Sequence, residues 1–329
     1  MIKTPSFFYR KSLFLFLLLP FSFIFASIVI AVYYCGFKRK SLKKPKVICL
    51  GNFIAGGSGK TPACISIADE LKKMGYKCCF LTIGYGRKNK RKHFIKEGNP
   101  ANLTADITGD EPLLLANICD VFVVNKRYDI PDLIEEYDYV ICDDDLWDKS
   151  LKYDIKIAIL SQRYGFGNEF ILPAGPMRTF SWLAKIFSDF VFIVEDNSSF
   201  VPTKKVKKYI EYFANKNKLV SAKLVATSDA DKNKKYLAFS GLANNEKFFL
   251  TAKDLGYNIL QYKTFADHYV YTKNDINNLK TMALKYDLIL MTTEKDFVKI
   301  KDLIGNFPIE IIKIKINISK DNLIKIING

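Results

Sequence analysis

Residues 47–61 read V-I-C-L-G-N-F-I-A-G-G-S-G-K-T, an apolar run that leads into a glycine-rich loop. Residues 62–74 follow with apolar side chains at helical spacing, and Gly75 ends the pattern. Backbone N–H groups of such a loop can turn inward around phosphate oxygens, and the N-terminus of the helix adds partial positive charge. A strand, a glycine-rich loop and a helix in this order therefore predict a phosphate-binding P-loop in an α/β fold.

The residues predicted to bind the nucleotide form one continuous segment. They are Ile54, Ala55, Gly56, Gly57, Ser58, Gly59, Lys60 and Thr61. We expect Lys60 to reach the outer phosphates and the Thr61 hydroxyl to hold Mg²⁺, so the predicted cofactors are ATP and Mg²⁺. The usual pattern has a glycine five positions before Gly59, where this chain has Ile54. A glycine-rich turn without a ligand is the alternative for the loop alone.

Further apolar runs predict the strands of a sheet. They lie at residues 78–82, 121–124, 139–142, 155–160 and 190–194, and, after a polar lysine-rich stretch, at 236–240, 288–292 and 310–314. Because these runs are apolar throughout, both faces of the sheet are expected to be covered, as in a mainly parallel α/β sheet. The predicted domains are a membrane anchor with a basic flank at 1–45, a P-loop domain at 46–220, and a smaller α/β domain at 221–329 that closes over the cleft.

The N-terminal segment predicts a membrane helix. Residues 13–35 are almost wholly apolar, and roughly twenty such residues can cross a bilayer; a cleaved signal peptide is the alternative. Lysine and arginine are more numerous after this segment than before it, which places the rest of the chain on the cytoplasmic side. The net charge of +16 suits an anionic membrane surface, a phosphorylated substrate or nucleic acid, unless it is only a solvated lysine-rich surface.

Acidic residues follow one of the predicted strands. Asp143, Asp144 and Asp145 come directly after the run at 139–142. A divalent cation would relieve the repulsion among their carboxylates, and a P-loop needs such an acid near its Mg²⁺. We therefore predict Asp143 and Asp144, together with Thr61, as metal ligands; a solvated acidic turn is the alternative.

Two further polar positions allow more than one interpretation. Asp110 stands in G-D-E-P before the apolar run of a predicted helix, where it could simply cap the helix N-terminus. His268 follows Asp267, and an aspartate beside a histidine can orient the ring or tune its pKa. Neither pattern alone decides between a structural and a catalytic role.

Taken in order, the motifs of the chain resemble those of the tetraacyldisaccharide 4′-kinase family, the lipid A 4′-kinases. They are G-N at 51–52 with the P-loop, G-Y-G-R at 84–87, G-D-E-P at 109–112, D-D at 143–144, G-F-G-N at 165–168, L-P-A-G-P at 172–176 with Arg178, Phe239 with Gly241 and Ala243, D-H at 267–268, and T-E-K-D at 293–296. The L-P-A-G-P-x-R and T-E-K-D runs have no general structural meaning, so they make the resemblance specific.

The resemblance implies a function and a place in the cell. Such an enzyme transfers the γ-phosphate of ATP to the 4′-hydroxyl of an acylated glucosamine disaccharide 1-phosphate, which gives the bis-phosphorylated lipid A precursor. It works at the bacterial inner membrane with its catalytic part facing the cytoplasm; we expect a monomer and no nucleic-acid partner. By resemblance Asp110 is the base, paired across a closed cleft with His268 beside Asp267, and Lys60 acts on the transferred phosphate.

The chain departs from the family pattern at three places. Where the family has D-D-G-L-Q-H, this chain has Asp145, Trp147 and Asp148 at the changed positions; Ile83 replaces an arginine and Tyr269 a second histidine. These changes bear on contacts with the lipid substrate more than on phosphoryl transfer. Two alternatives stay open: a membrane-tethered P-loop NTPase of another class, and a non-catalytic ATP-binding relic of the kinase.

Overall fold

A central β-sheet organises the computed structural model. The structure describes residues 8, 14–34, 40–55, 59–99, 103–144, 146, 148, 150–162, 165–180, 188–195, 204–242 and 245–328. The strands are β1 (Lys46–Gly51), β2 (Cys78–Thr82), β3 (His93–Ile95), β4 (Asp120–Val123), β5 (Tyr139–Asp143), β6 (Ile155–Ser161), β7 (Phe190–Glu195), β8 (Leu219–Thr227), β9 (Lys235–Ser240), β10 (Asn258–Thr264), β11 (Ile289–Thr293) and β12 (Ile309–Asn317). Within the described ranges their order in the sheet is β10-β9-β11-β12-β8-β7-β6-β1-β5-β2-β4-β3.

Most neighbouring strands run parallel. The exceptions among the described strands are the pairs β3 with β4 and β8 with β12, which are antiparallel. Every residue of β2 and of β5 is buried, so both faces of the sheet are covered at these strands. The mainly parallel α/β sheet predicted from the continuous apolar runs is confirmed.

Helices connect and cover the strands. They are α1 (Phe14–Tyr34), α2 (Lys60–Lys73), α3 (Ala105–Thr108), α4 (Asp110–Leu115), α5 (Lys204–Asn215), α6 (Asn245–Asp254), α7 (Lys273–Lys285), α8 (Glu294–Ile304) and α9 (Lys320–Asn328), with a short 3₁₀ helix at Asp132–Glu136. The helix predicted after the P-loop is α2. It starts directly after Gly59, whose φ of 85° is left-handed, and it buries Ile65, Ala68 and Leu71.

The strands β8 and β12 join the two halves of the chain. Their antiparallel pairing makes the C-terminal strands continuous with the sheet around the P-loop, and α9 contacts α2. The backbone N–H of Ile316 donates to Ser66 Oγ on α2 (3.1 Å), and Lys46 Nζ donates to the Ile327 carbonyl (3.0 Å). The boundary predicted between residues 220 and 221 falls inside β8, and the division into domains stays a prediction.

The N-terminal helix α1 packs partly against the protein. Leu15, Ser22 and Ala26 are buried, and the Ser22 hydroxyl donates to the Ile171 carbonyl (2.8 Å) and accepts from the backbone N–H of Ala174 (3.1 Å). Other large apolar side chains of α1 are exposed: Phe16, Leu17, Phe21, Phe23, Ile24 and Ile28.

The sequence predicts a membrane-spanning helix at 13–35, and the structure does not support it. The side chains described on α1 are those of residues 15–31, and no helix in the described part of the chain has both the length and the apolarity to cross a membrane. The helix itself forms, but Ser22 and its buried neighbours are directed to the loop at 165–180. The basic residues at 35–39 lie outside the described residues.

Candidate active site

The P-loop follows the C-terminal end of β1. Gly56, Gly57 and Ser58 lie outside the described residues. Before them, Ile54 is buried, and Ala55 donates its backbone N–H to the Pro176 carbonyl (2.7 Å). The backbone of the L-P-A-G-P run therefore holds the start of the loop, and Ile54 fills an interior position where the usual P-loop pattern has glycine.

Lys60 lies among oxygen atoms at the start of α2. Its Nζ is 3.1 Å from Asp144 Oδ2 and 3.3 Å from Asn52 Oδ1. Arg178 also binds Asp144, with Nη1 3.2 Å from Oδ1 and Nη2 3.4 Å from Oδ2. Burial acts to raise the pKa of Asp144, but Lys60 and Arg178 outweigh it and the pKa is lowered. Asp144 therefore holds two cations side by side, an arrangement suited to phosphate oxygens.

Thr61 and Asp143 form the part of the site that fits a divalent cation. Asp143 Oδ2 accepts a hydrogen bond from the Thr61 hydroxyl (2.9 Å), whereas its Oδ1 is buried and has no hydrogen-bond partner among the described residues. Burial raises the pKa of Asp143, and Lys60 and Thr61 act against it. A hydroxyl and a carboxylate are oxygen ligands that Mg²⁺ accepts beside phosphates and water.

The described residues contain no group of three or more His, Cys, Asp or Glu side chains that could hold a metal ion. A P-loop magnesium site does not require one, because phosphates and waters supply the remaining ligands. Of the predicted ligands, Thr61 and Asp143 are in contact, and Asp144 turns to Lys60 and Arg178. The ligand assignment stays a prediction.

Arg127 fixes the backbone that carries these acids, and the sequence analysis missed it. Its guanidinium is buried and donates to the carbonyls of Leu81 and Asp143, the second at 2.8 Å. The next residue, Asp144, has a left-handed φ of 59°. Arg127 thus connects the ends of β2 and β5 at the point where the chain turns. A charged residue shortly after the apolar strand β4 is the only signal that the sequence offers for it.

Asp110 is the first residue of α4 rather than its cap. The capping position belongs to Gly109, whose φ of 94° and ψ of 162° define a conformation almost exclusive to glycine. A Cβ at Gly109 would lie 2.9 Å from the Tyr85 carbonyl, so glycine also allows the G-Y-G-R loop to approach. Asp110 Oδ2 lies 3.2 Å from His268 Nδ1. The structure therefore brings together the two residues that the family resemblance pairs, although they come from opposite halves of the chain.

His268 is held from both sides. Its backbone has a left-handed φ of 55°, which is uncommon outside glycine, and its N–H donates to Asp267 Oδ1 (3.0 Å). On the far side of the ring, Nε2 lies 3.3 Å from Lys295 Nζ. Asp267 is thus engaged with the backbone of His268 and with Lys295, whose Nζ lies 3.7 Å from its Oδ1. Asp110 is the carboxylate that contacts the imidazole within hydrogen-bond distance.

Two lysines of α8 and one further glutamate complete the cluster, and none of them was among the predicted site residues. Lys299 Nζ is nearly buried and lies 3.7 Å from Asp110 Oδ2. Burial acts to raise the pKa of Asp110, but the hydrogen bond with His268 and the charges of Lys299 and Lys295 outweigh it, and its pKa is lowered. Burial raises the pKa of Glu111 to about 7, and Asp143 acts in the same direction. The spacing of Lys295 and Lys299 by one helical turn was the signal available in the sequence.

An open cavity of about 800 Å³ adjoins this cluster. Its lining consists of Ile83, Gly84, Tyr85, Gly86, Arg87, Lys90, Asn125 and His268. Tyr85 is 72% exposed, and its ring centroid lies 6.0 Å from that of His268. The Arg87 guanidinium is already bound to the Val124 carbonyl (2.8 Å) and Asn125 Oδ1 (2.7 Å), which leaves Lys90 as the more available cation of this lining.

The positions that depart from the family pattern have different surroundings. Ile83 is half exposed in the cavity lining, where the family has an arginine. Tyr269 is directed away from Asp110, and its hydroxyl donates to Asp275 Oδ2 (3.2 Å) at the start of α7. Asp148 Oδ1 accepts from the backbone N–H of Ser150 (2.7 Å). Asp145 and Trp147 lie outside the described residues.

Comparison with known proteins places the chain. Residues 14–329 match the family model described as LpxK, tetraacyldisaccharide-1-P 4′-kinase. A tetraacyldisaccharide 4′-kinase of Rickettsia bellii is 36% identical over 327 residues, covering 97% of this chain and 96% of the relative. One of Rickettsia rickettsii is 35% identical over 320 residues, covering 95% and 94%.

A solved structure agrees with these relatives. The crystal structure of LpxK from Aquifex aeolicus, described as an "apo" form in complex with ATP, superposes with a TM-score of 0.73 at 26% identity and covers 96% of this chain and 99% of its own. The match therefore extends through both halves of the sheet. The chain belongs to the tetraacyldisaccharide-1-phosphate 4′-kinase family.

Proposed function

We propose that the chain transfers the γ-phosphoryl group of ATP to the 4′-hydroxyl of a tetraacyldisaccharide 1-phosphate and so makes the bis-phosphorylated precursor of lipid A. The family match and the names of the relatives support the activity. ATP as the donor is supported by the ATP complex of the solved relative. We propose that the enzyme acts as a monomer.

One observation carries the proposal: the predicted nucleotide-binding residues around Lys60 and Asp143 lie next to the Asp110–His268 pair. The helix α4, which begins at Asp110, contacts α2, which begins at Lys60, and Asp143 and Lys60 as well as Lys295 and His268 influence the pKa of Glu111 on α4. An ATP molecule whose phosphates lie against Lys60 would therefore present its terminal phosphate towards Asp110. The adjoining cavity offers space for an acceptor at the same point.

The reaction follows from these positions. Asp110 accepts the proton of the 4′-hydroxyl while the hydroxyl oxygen forms a bond to the γ-phosphorus and the bond from that phosphorus to the bridging oxygen of ADP breaks. His268 holds Oδ2 of Asp110, so its other oxygen is the one that faces the acceptor. Lys60 and Arg178 bind the charge that develops on the phosphate oxygens. Mg²⁺, held by Thr61 and Asp143 when bound, would neutralise phosphate charge.

The cavity beside His268 is the proposed acceptor site. The exposed ring of Tyr85 offers an apolar platform of the kind that sugars pack against, and Lys90 offers a cation for the 1-phosphate. Ile83 presents an apolar surface at the position where the family pattern has an arginine guanidinium. We propose that the acceptor retains its sugar contacts here and loses one ionic contact.

We also propose that the enzyme works at the cytoplasmic face of the bacterial inner membrane. The exposed apolar side chains of α1 would enter the interfacial region of a bilayer, and Lys43 and Lys44 follow in an exposed segment that would meet anionic headgroups. Flotation with anionic vesicles tests this. Replacing Phe23 and Ile24 by serine should abolish flotation, whereas the equally exposed Leu284→Ser on α7 should not; equal flotation of all variants would contradict the proposal.

The activity is tested with γ-labelled ATP, Mg²⁺ and the tetraacylated disaccharide 1-phosphate in detergent. We expect labelled lipid from the wild-type protein and losses of at least about 100-fold in Lys60→Met and in Asp110→Asn. Lys301→Met and Asp302→Asn carry the same substitutions on α8, away from the site, and should retain activity.

The two alternatives give different results in the same assay. Loss of ATP without labelled lipid, at a rate that the lipid does not change, would favour a P-loop NTPase of another class. Tight ATP binding without turnover would favour a catalytically inactive relic. Either result would overturn the proposed function.

A further inference from the structure

The T-E-K-D run at residues 293–296 contributes Lys295 to the site, and the proposed reaction gives this residue no role. Thr293 caps α8, and its hydroxyl accepts from the backbone N–H of Asp296 (3.1 Å). Asp296 is fully buried, and its carboxylate accepts from the Gly241 N–H (3.1 Å) and the Tyr271 hydroxyl (3.0 Å). The start of α8 is therefore fixed to the residue that follows β9 and to the segment that precedes α7, and side chains of its first turn have a defined direction.

Lys295 is directed from this turn towards His268. Its Nζ lies 3.3 Å from Nε2 of the imidazole and 3.7 Å from Asp267 Oδ1. The side chain is 24% exposed, so it is not a buried structural charge like Lys299 on the next turn. The position of Asp267 keeps the ammonium group close to the ring.

The contact determines which ring nitrogen carries the proton. An ammonium group has three donors and no acceptor, so a hydrogen bond to Lys295 requires a lone pair on Nε2. In the neutral ring the proton is then on Nδ1, which faces Asp110 Oδ2 at 3.2 Å. The opposite tautomer would set an N–H against the ammonium and a lone pair against the carboxylate. Both neighbours therefore favour the same tautomer.

We infer that Lys295 is a positioning residue for the phosphoryl transfer: it donates to Nε2 of His268 and thereby fixes the Nδ1–H tautomer that holds Asp110. The inference rests on the proposed function for its kinetic consequence, but the tautomer itself does not depend on turnover. The other charged groups around the ring are Asp110, Asp267 and Lys299, and the Tyr85 ring covers one side.

The chain suits a direct measurement because it has only two histidines, His93 and His268. With ¹⁵N-labelled histidine, long-range ¹H–¹⁵N correlation spectra of the full-length protein distinguish protonated from unprotonated ring nitrogens. We expect His268 to show a protonated Nδ1 and an unprotonated Nε2. In Lys295→Met the pattern should change to a mixture of tautomers, with His93 as the internal reference.

Kinetics supply the second readout. A wrong tautomer of a catalytic histidine can lower kcat by up to about 10⁴, and a mixture should lower it by about 10-fold to 100-fold while KM for ATP stays unchanged. Lys295→Arg retains a donor without an acceptor and should recover most of the activity and the Nδ1–H pattern. Lys301→Met, on the same helix, should match the wild type in both readouts.

The outcomes are separable. An Nδ1–H pattern that persists in Lys295→Met, or a wild-type His268 protonated on Nε2 when neutral, would overturn the inference. A wild-type protein without kinase activity would instead contradict the proposed function, and the spectra would still test the tautomer. A changed tautomer with unchanged kcat in Lys295→Met would overturn the positioning role.

Discussion

Replacing Lys299 by methionine should lower the free energy of unfolding by about 3 kcal/mol. The side chain is 4% exposed, and its ammonium lies 3.1 Å from Asp296 Oδ1 and 3.7 Å from Asp110 Oδ2. The Tyr271 ring centroid is 5.4 Å away. Methionine preserves most of the volume, so the main loss is the positive charge between two carboxylates.

Removing one partner of a buried ion pair costs about 3–5 kcal/mol, because the remaining charge is left uncompensated. Asp296 keeps hydrogen bonds from Gly241, Thr293 and Tyr271, and Asp110 keeps its contact with His268. These donors lower the penalty, so we expect the lower end, about 3 kcal/mol. For a chain of this size the corresponding fall in Tm is roughly 4 °C.

Urea denaturation of the purified protein in one detergent measures this change. Adding Asp296→Asn to Lys299→Met removes one of the two charges that the loss of Lys299 leaves uncompensated, so the two losses should be less than additive, with a coupling of about 1–3 kcal/mol. Lys301→Met on the same helix should stay within about 0.5 kcal/mol of the wild type. A loss below about 1 kcal/mol in Lys299→Met, or strictly additive losses, would refute the reasoning.

Three other predictions follow from the site. Asp110→Asn should lower kcat by about 10²–10⁴ with ATP affinity retained, and a near-normal rate of lipid labelling would show that another group is the base. Gly84→Ala should destabilise the protein by more than the 1–2 kcal/mol typical of a left-handed residue, because φ is 63° and the new Cβ would meet the Thr108 carbonyl; an unchanged Tm would contradict this. The Glu111 pKa of about 7 exceeds its ordinary value of 4.5, so the folded state binds an extra proton between these values and the metal-free protein should lose stability as pH rises from about 5 to 8. Glu111→Gln should flatten that slope, and equal slopes in both proteins would contradict the pKa assignment.

Local signals in the sequence predicted the nucleotide end of the site well. The strand and the helix predicted on either side of the P-loop form as expected, and Asp143 lies beside Thr61 as parallel strand ends require. The start of α7 is likewise fixed locally by a capping box, in which the Thr272 hydroxyl accepts from the Asp275 N–H (3.2 Å). These features depend on residues close in sequence or on neighbouring strands, which is why patterns reveal them.

Contacts between distant segments could not be read from patterns. The pairing of β8 with β12 and the position of α8 depend on tertiary packing, and with them the positions of Lys295 and Lys299 around His268. The apolar run at 13–35 predicted a membrane-spanning helix, because hydropathy alone does not register that Ser22 and its neighbours face another part of the chain. Arg127 gave almost no signal, since its role is to bind backbone carbonyls of two strands.

The return of the C-terminal segment to α2 has a consequence for the order in which the protein can mature. Ser66 on α2 accepts from the backbone N–H of Ile316, and Lys46 at the start of β1 donates to the carbonyl of Ile327. During translation Ile316 is added 250 residues after Ser66, so a nascent chain that already contains every P-loop residue still has one face of α2 uncovered. ATP-binding competence should therefore be gained only after residues 316–327 have been made, and chaperones that recognise apolar surface would have long access to that helix until then.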